Sequence, residues 1–184
     1  MAPRVMSKHR PVAIVLAVLG VAAAIAAYSW YGASGVAPGA PRLASTTLPR
    51  VLPRPYQAEA PAREDVERVF ERAAKSGRRV IVNLGANWCP DCLALAGMFS
   101  LPEFKQFVAD NYEHVYVDVN RLNRNMDVVK SLGISELEGI PTVLIFSPKR
   151  ELLNRTTSEE WTDASTRNAQ QAMNYFASWA KGSR

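Results

Sequence analysis

The chain has 184 residues, enough for one domain of ordinary size plus a targeting or linking segment, which argues against a two-domain enzyme. Its 22 basic and 17 acidic residues give a formal charge of +5, and all of this excess lies before residue 62, where six basic residues accompany one acidic residue. The remainder is formally neutral and lacks an electrostatic basis for binding a phosphate backbone, so we expect no nucleic-acid partner.

The first 31 residues have the features of a membrane signal. Residues 1–10 form a basic region, and residues 11–31 contain no charged side chain and are rich in Ala, Val, Leu and Ile. This apolar stretch reaches the roughly 20 residues that a bilayer-spanning helix needs, and the basic flank would stay in the cytoplasm. We therefore predict a single-pass signal anchor in a bacterial inner membrane, with the domain facing the periplasm. A cleaved signal peptide, which would release the domain into the periplasm, is the alternative.

Residues 32–61 are predicted to be a linker. They contain half of the twelve prolines, mixed with Ala, Gly, Ser and Thr, and such a composition cannot build a core. In polyproline II form, at about 3.1 Å per residue, the segment could span several tens of ångströms. We expect it to be a tether between the membrane segment and a domain at residues 62–184.

Hydrophobic periodicity divides the first half of this domain into helices and strands. A helix is predicted at residues 63–76, ended by Gly77, and a short buried strand at residues 79–85. A helix follows Cys92, Pro102 kinks or restarts it, and a strand is predicted at residues 115–119.

The second half continues the alternation. It predicts a helix at residues 126–132, a strand at 142–146, an antiparallel hairpin partner at 151–154, and an amphipathic helix from about 159 to 181. Such an order requires crossover connections. The predicted fold class is therefore α/β, with a central mixed β-sheet flanked by helices and preceded by one N-terminal transmembrane helix.

The only two cysteines, Cys89 and Cys92, are separated by two residues and lie where the first predicted strand meets the next helix. At a helix N-terminus, exposed amides and the helix dipole stabilise a Cys89 thiolate, the form that attacks disulfides, and Cys92 lies one turn later. Pro90 suits the first helical turn, where its missing N–H costs nothing. Asp91 suits the dipole but opposes a nearby thiolate, so the pKa of Cys89 could shift in either direction.

Other roles for this pair compete with catalysis. Structural zinc needs four ligands and the only histidines are His9 and His114, so we expect no metal site, while a structural disulfide across two residues would constrain the unfolded chain little. Copper(I) accepts two soft thiolates, which leaves a metallochaperone as an alternative, and a non-enzymatic docking module is another. Away from the cysteines, we interpret His114 as a surface residue at a strand end and Arg121 as a solvated loop charge.

The sequence W-C-P-D-C at residues 88–92, after V-I-V-N-L-G-A-N, and G-I-P-T at residues 139–142 resemble the thioredoxin superfamily. The stretch at residues 100–120, with S-L-P-E-F-K-Q-F-V, resembles the exported, membrane-linked members of that superfamily. The resemblance covers roughly residues 63–181. It implies a thioredoxin-like fold and a thiol:disulfide oxidoreductase without an organic cofactor, in which Cys89 attacks and Cys92 resolves. It further implies that Pro141 is cis beside the two sulfurs and that the backbone of Ile140 pairs with an extended substrate. Trp88 and Pro90 complete the predicted substrate-binding residues.

The sequence departs from the thioredoxin pattern at Asn83, six residues before Cys89, where that family usually has a buried Asp that helps to move the proton of the second cysteine. An amide cannot take up a proton, so we expect the resolving step to need water or another group. The I-P-T sequence and the lack of a second cysteine pair favour reduction of disulfides in exported proteins, with a membrane electron donor. Disulfide formation, with a membrane electron acceptor, is the alternative direction.

Overall fold

The computed structural model describes residues 35–37 and 39–180. The basic region at residues 1–10 and the candidate membrane segment at residues 11–31 lie outside the described residues. Within the described part, no helix is both long enough and apolar enough to cross a bilayer. The chain divides into two compact units, Met1–Pro38 and Gly39–Arg184, and the fold described below is that of the second unit.

The described residues of this unit alternate helices and strands much as the periodicity predicts. In chain order the elements are α1 (Ala62–Ser76), β1 (Arg79–Gly85), α2 (Pro90–Phe99), α3 (Pro102–Asn111), β2 (Tyr112–Asp118), α4 (Met126–Ser131), β3 (Thr142–Phe146) and α5 (Ala169–Ser178), with short 3-10 turns at Arg155–Thr157 and Ala164–Thr166. Helix α1 carries Glu64 and Asp65 in its first turn, where carboxylates favour the helix dipole. It ends at Gly77, whose φ of 70° suits a residue without a Cβ.

The three described strands form one mixed sheet in the order β2-β1-β3. The central strand β1 runs parallel to β2 and antiparallel to β3. Every β1 residue from Val80 to Gly85 is buried, as a strand covered on both faces requires. The predicted α/β class with a mixed sheet flanked by helices is therefore confirmed.

An apolar layer lies on each face of this sheet. Because side chains alternate along a strand, Ile81 packs on one face with α2, α3 and α5, while Val80, Val82 and Leu84 pack on the other face with α1 and α4. The first layer includes Phe104, Trp161 and Phe176, all of them fully buried. The layer includes the buried face of α2, the helix at whose N-terminus the cysteines lie.

Strand β2 begins at Tyr112, three residues before the predicted start. The acidic residue Glu113 interrupts the apolar pattern, so the sequence gives no sign of a strand there. In the structure the Glu113 carboxylate is buried and bound by the guanidinium groups of Arg72, at 2.7 Å, and Arg78. Paired in this way, a charged residue is tolerated in a buried strand.

The expected hairpin partner at residues 151–154 is not a strand, and only Leu152 forms an isolated bridge, to Phe146. The fully buried side chain of Asn154 takes its place beside β3. Its Oδ1 accepts from the N–H of Ile145 at 2.8 Å, and its Nδ2 donates to the carbonyl of Val143 at 2.8 Å. This side chain thus supplies two of the hydrogen bonds that a further strand would supply, and the backbones of Leu153 and Ser158 supply two more.

The C-terminal helix begins at Ala169, about ten residues later than predicted. Asn168 caps it, because its Oδ1 accepts from the N–H of Gln170 at 2.7 Å and Gln171 reaches back to the N–H of Asn168 at 2.9 Å. Trp161 matches the helical spacing in the sequence, yet it lies before the helix and is buried against Phe176. The apolar pattern is therefore correct and its assignment to one continuous helix is wrong.

Residues 39–61, which we call the leading segment, contain no helix or strand but lie along the domain instead of extending away from it. Leu43 is buried in the layer that contains α5. Its N–H donates to Oε1 of Gln170 at 2.9 Å, and Nε2 of Gln170 donates to the carbonyl of Pro41 at 2.9 Å. A proline-rich segment cannot build a core of its own, but it can add single side chains to a neighbouring one.

Candidate active site

Cys89 and Cys92 lie at the N-terminus of α2, directly after β1 and a short turn. Cys89 is the N-cap residue and has an extended backbone conformation, and Pro90 is the first helical residue. Both cysteines are free thiols. The backbone N–H of Cys92 donates to the Cys89 sulfur at 3.2 Å, so the helix terminus aims an amide at this sulfur as predicted.

The surroundings give the two thiols opposite properties. A hydrogen bond from the Cys92 side chain lowers the pKa of Cys89 to about 7, and the Cys92 amide adds to this, against the opposing effects of burial and of the Asp91 charge. The hydrogen bond with Cys89 and burial raise the pKa of Cys92. Near neutral pH, Cys89 is therefore the more readily ionised of the two, and Cys92 is a protonated thiol.

The backbone before β3 completes the sulfur site. The Ile140–Pro141 peptide bond is cis, as the resemblance implies. The Ile140 carbonyl lies 3.7 Å from the Cys89 sulfur and accepts its S–H when Cys89 is protonated. Pro141 is buried and the Ile140 side chain packs against the cysteines. Four of the predicted site residues thus come together from two distant parts of the chain.

Trp88 and Pro90 are at the surface beside this site. The Trp88 side chain is 49% exposed, which is unusual for so large an apolar residue. Arg121 is exposed in a turn, as predicted for a solvated loop charge, and its guanidinium also lies over the Trp88 ring, 4.8 Å from the ring centroid. A groove of about 520 Å³ begins at this surface and is lined mainly by Leu48, Leu52, Trp88, Pro90 and Leu93.

The Asp91 carboxylate accepts hydrogen bonds from a residue that no sequence motif singles out. Its Oδ1 accepts from the N–H of Ser165 at 2.8 Å and from the hydroxyl of Ser165 at 2.7 Å. These bonds join the first turn of α2 to the 3-10 turn Ala164–Thr166. The Asp91 carboxylate is therefore held by this turn and is not paired with either cysteine.

Asn83 and His114 form a polar pair inside the domain. Asn83 is fully buried, and its Nδ2 donates to Nε2 of His114 at 2.9 Å. The His114 ring packs against Phe99 and Tyr116, and burial lowers its pKa to about 3, so it is neutral at pH 7. The prediction of a surface residue at a strand end is only partly right, because His114 is half-buried within β2 and its ring packs against Phe99 of α2.

The leading segment contributes a residue to the site that sequence reasoning missed. Tyr56 is only 3% exposed and forms a small cluster with Cys89 and Cys92. Asn87 binds its backbone twice, since the Tyr56 N–H donates to Oδ1 at 3.2 Å and Nδ2 donates to the Tyr56 carbonyl at 2.6 Å. A lone aromatic residue in a proline-rich stretch has no pattern that would reveal this contact.

The described residues contain no group of three or more His, Cys, Asp or Glu side chains that could hold a metal ion. The chemistry that the arrangement can perform is exchange between a reactive thiolate and a disulfide, with a second thiol in reserve.

Comparison with known proteins agrees with this geometry. Residues 61–148 match a protein-family model described as Thioredoxin-like. The crystal structure of a disulphide isomerase from Xylella fastidiosa Temecula1 is 25% identical, covers 70% of this chain and 98% of that one, and has a TM-score of 0.63. The crystal structure of a protein of unknown function from Pseudomonas aeruginosa is 17% identical and covers 65% of this chain and 83% of that one. Its TM-score is 0.37, so no structural conclusion follows from this match.

No curated protein matches the chain. The family match and the isomerase structure support thiol:disulfide oxidoreductase chemistry in general. The chain thus contains a thioredoxin-like domain, and these likenesses support its place in the thioredoxin superfamily.

Proposed function

We propose that this protein is a thiol:disulfide oxidoreductase that uses the W-C-P-D-C dithiol to reduce disulfide bonds of exported proteins. The observation that carries the proposal is the position of Cys89, which caps α2, receives the Cys92 amide at 3.2 Å and lies beside the Ile140 carbonyl. A thiol with a pKa of about 7 is about half ionised at pH 7, and a thiol whose pKa lies near the ambient pH is a good attacking group.

The proposed reaction has two exchange steps. The Cys89 thiolate attacks one sulfur of the substrate disulfide, the S–S bond breaks, and one substrate sulfur leaves as a thiolate and takes a proton from solvent. Cys92 then loses its proton and attacks the Cys89 sulfur, which releases the second substrate thiolate. Two electrons pass to the substrate, and the enzyme ends with a Cys89–Cys92 disulfide.

The substrate would bind across the surface around Cys89. In the proposed complex, the Ile140 backbone pairs with an extended substrate segment and Pro141 supports it beside the sulfurs. Trp88 and Pro90 would contact the residues that flank the substrate cysteine. The exposed Trp88 ring and the apolar groove next to it support this assignment, since exposed aromatic surface is typical of binding sites.

The proposed location is a bacterial inner membrane, with residues 11–31 as a single-pass anchor and the domain facing the periplasm. The basic residues before the apolar stretch support this orientation. A reductant outside the cytoplasm must be reduced again after each cycle, so the proposal includes a membrane electron donor. Cleavage of the signal would place the same domain in the periplasm without an anchor.

A single-turnover assay on the full chain in detergent tests the reaction. The reduced protein is mixed with a peptide that contains one disulfide, and released thiols are counted. We expect two thiols per wild-type chain and none from Cys89→Ser. We expect Cys92→Ser to release one thiol and to remain joined to the peptide. Equal thiol release by wild type and Cys89→Ser would overturn the proposal.

The reduction potential of the dithiol tests the direction. It is measured by equilibration of the full chain with glutathione buffers, with Trp88 fluorescence as a signal. A value near roughly −270 mV supports a reductant, and a value near roughly −120 mV makes the protein an oxidant. A reduced chain that retains one copper(I) ion after desalting and exchanges no disulfide would favour the metallochaperone instead.

A further inference from the structure

We infer that Tyr56 is a further catalytic residue, whose phenolic O–H donates a hydrogen bond to the Cys92 sulfur when Cys92 becomes a thiolate in the resolving step. The inference rests on the proposed function, because the resolving step of disulfide exchange is the step in which Cys92 ionises and attacks. It assigns a role in the chemistry to the leading segment, outside the residues predicted for the site.

The resolving step is the difficult one in this site. Cys92 is fully buried, and burial disfavours its charged form. The amide of Asn83 is directed to His114, and the carboxylate of Asp91 is held by Ser165. Neither of these two side chains is therefore directed at the Cys92 sulfur. A backbone hydrogen bond at Ala86 lowers the pKa of Cys92, but the hydrogen bond with Cys89 and burial outweigh it, so a further donor would help the thiolate to form.

Tyr56 is in position to be that donor. Its side chain clusters with Cys92 and Cys89, and its ring meets the edge of Tyr116 with 5.2 Å between ring centroids. The phenol head lies directly above the end of β1, since a Cβ on Gly85 would be 2.5 Å from both Cζ and Oη of Tyr56. The glycine therefore leaves the space that brings the hydroxyl to the base of the active-site turn.

The hydroxyl of Tyr56 is buried and has no conventional hydrogen-bond partner among the described residues. Two other tyrosines of the domain are paired, as Tyr112 donates to the Phe176 carbonyl at 2.6 Å and Tyr175 donates to the Thr157 carbonyl at 3.2 Å. A buried polar group without a partner is costly and calls for an explanation. A partner that carries charge only during the reaction provides one.

Asn87 fixes Tyr56 to the catalytic turn. Its two hydrogen bonds to the Tyr56 backbone come from a residue just two positions before Cys89. The phenol and the cysteines are therefore held by the same short stretch of chain. A donor held in place before the reaction stabilises a developing charge without reorganisation.

The role is that of a donor, and the phenol keeps its proton throughout. Burial, followed by the nearby Cys92, raises the pKa of Tyr56. The Cys92 proton passes to water and the departing substrate thiolate takes one from water, so the exchange balances without a change at Tyr56. A hydrogen bond to a charged group is worth about tenfold or more in an equilibrium or rate.

The substitution Tyr56→Phe tests the inference, because it removes the hydroxyl and retains the ring. The full chain in detergent is mixed with the disulfide peptide, quenched in acid at intervals, and assayed for mixed disulfide at several pH values. We expect the resolving rate to fall about tenfold, its pH midpoint to rise, and the rate of the first attack by Cys89 to stay within twofold. Tyr116→Phe, the same change in a neighbouring ring, should leave both rates within twofold.

An unchanged resolving rate in Tyr56→Phe would overturn the inference, and so would an equal loss in both steps, which indicates a structural role. Failure of the proposed function is seen separately, because wild type would then form no mixed disulfide.

A second measurement needs no substrate. In Cys89→Ser, the lone Cys92 is alkylated as a function of pH, and adding Tyr56→Phe should move the midpoint upward. Adding Asn87→Ala instead retains the Tyr56 hydroxyl but removes the two hydrogen bonds that hold the Tyr56 backbone. The midpoint should then also rise, by a smaller amount. A midpoint that Tyr56→Phe leaves in place would contradict the inference.

Discussion

The domain at residues 62–180 and the leading segment at residues 39–61 are held in place by different means. The domain is stabilised by two continuous apolar layers on a mixed sheet. The leading segment has no helix or strand and is attached through single buried side chains, Leu43 and Tyr56, next to two side-chain amides that bind its backbone. Both amides, Gln170 and Asn87, belong to the domain.

The comparison shows that densely packed layers and a few separate contacts can both position residues of the cysteine site. Loss of one large side chain from a continuous layer affects everything packed on it, because the surrounding groups relax only partly. Loss of a single anchor frees only the stretch of chain that it holds. Substitutions in the domain should therefore lower global stability, while substitutions at the anchors should act locally and should reach the chemistry through Tyr56.

The largest effect is expected from Phe176→Ala on the domain side. Phe176 is fully buried on α5 and lies against Phe99, Phe104 and Trp161. Its truncation should cost about 4 kcal/mol of the free energy of unfolding, measured by urea titration. The control Val51→Ala, at a leading-segment position that is 83% exposed, should cost less than about 0.5 kcal/mol. Similar losses for both variants would remove the contrast between the two regions.

A smaller effect is expected from the half-buried His114. Its pKa is about 3 in the folded protein and ordinarily 6.5, so the unfolded chain takes up a proton first as the pH falls. Folding stability should therefore decline from about pH 6.5 downwards, by an order of 2–3 kcal/mol at pH 4. In His114→Gln this part of the decline should be absent, as followed by urea titration at several pH values. Parallel pH profiles for the two proteins would show that His114 does not carry the effect.

Gly85→Ala tests the point where the two regions meet. The new Cβ would collide with the Tyr56 ring, and such overpacking should cost about 2 kcal/mol. In a Tyr56→Ala background the obstacle is gone, so the same change should cost less than about 1 kcal/mol. This double-mutant cycle is measured by urea unfolding. An equal cost in both backgrounds would mean that the close approach to Tyr56 is not what requires the glycine.

The smallest effect is expected at the front of the leading segment. Gln170→Ala removes the two hydrogen bonds to Pro41 and Leu43. The free energy that holds this part of the leading segment to the domain should fall by about 1 kcal/mol. Hydrogen exchange should speed up at the Leu43 amide and stay unchanged in β1. Faster exchange throughout β1 would indicate that the leading segment is part of the same cooperative unit as the sheet.

The sequence was sufficient for the parts of the fold where one physical signal dominates. Strands β1 and β3 have the predicted bounds because they are short apolar runs between polar or turn residues. The position of the Ile140–Pro141 bend beside Cys89 was also predictable, since the resemblance of W-C-P-D-C and G-I-P-T to the thioredoxin superfamily implies it.

The remaining features depend on contacts between residues far apart in the chain. Asn154 replaces a strand, and Glu113 becomes acceptable in β2 only through two arginines. Tyr56 enters the site only through Asn87 and the space above Gly85. No periodicity in the sequence encodes such pairings, because each depends on where the other partner lies after folding.

The occupied outer side of β3 has a consequence for a protein whose proposed substrates are other polypeptides, which bind in an extended form. Ser158 accepts from the N–H of Val143 at 2.7 Å, Leu153 donates to the Ile145 carbonyl at 2.8 Å, and Asn154 satisfies the groups between them. A foreign strand therefore finds no open donors or acceptors at residues 143–145. The protein can meet aggregation-prone polypeptides without offering this edge as a template for them.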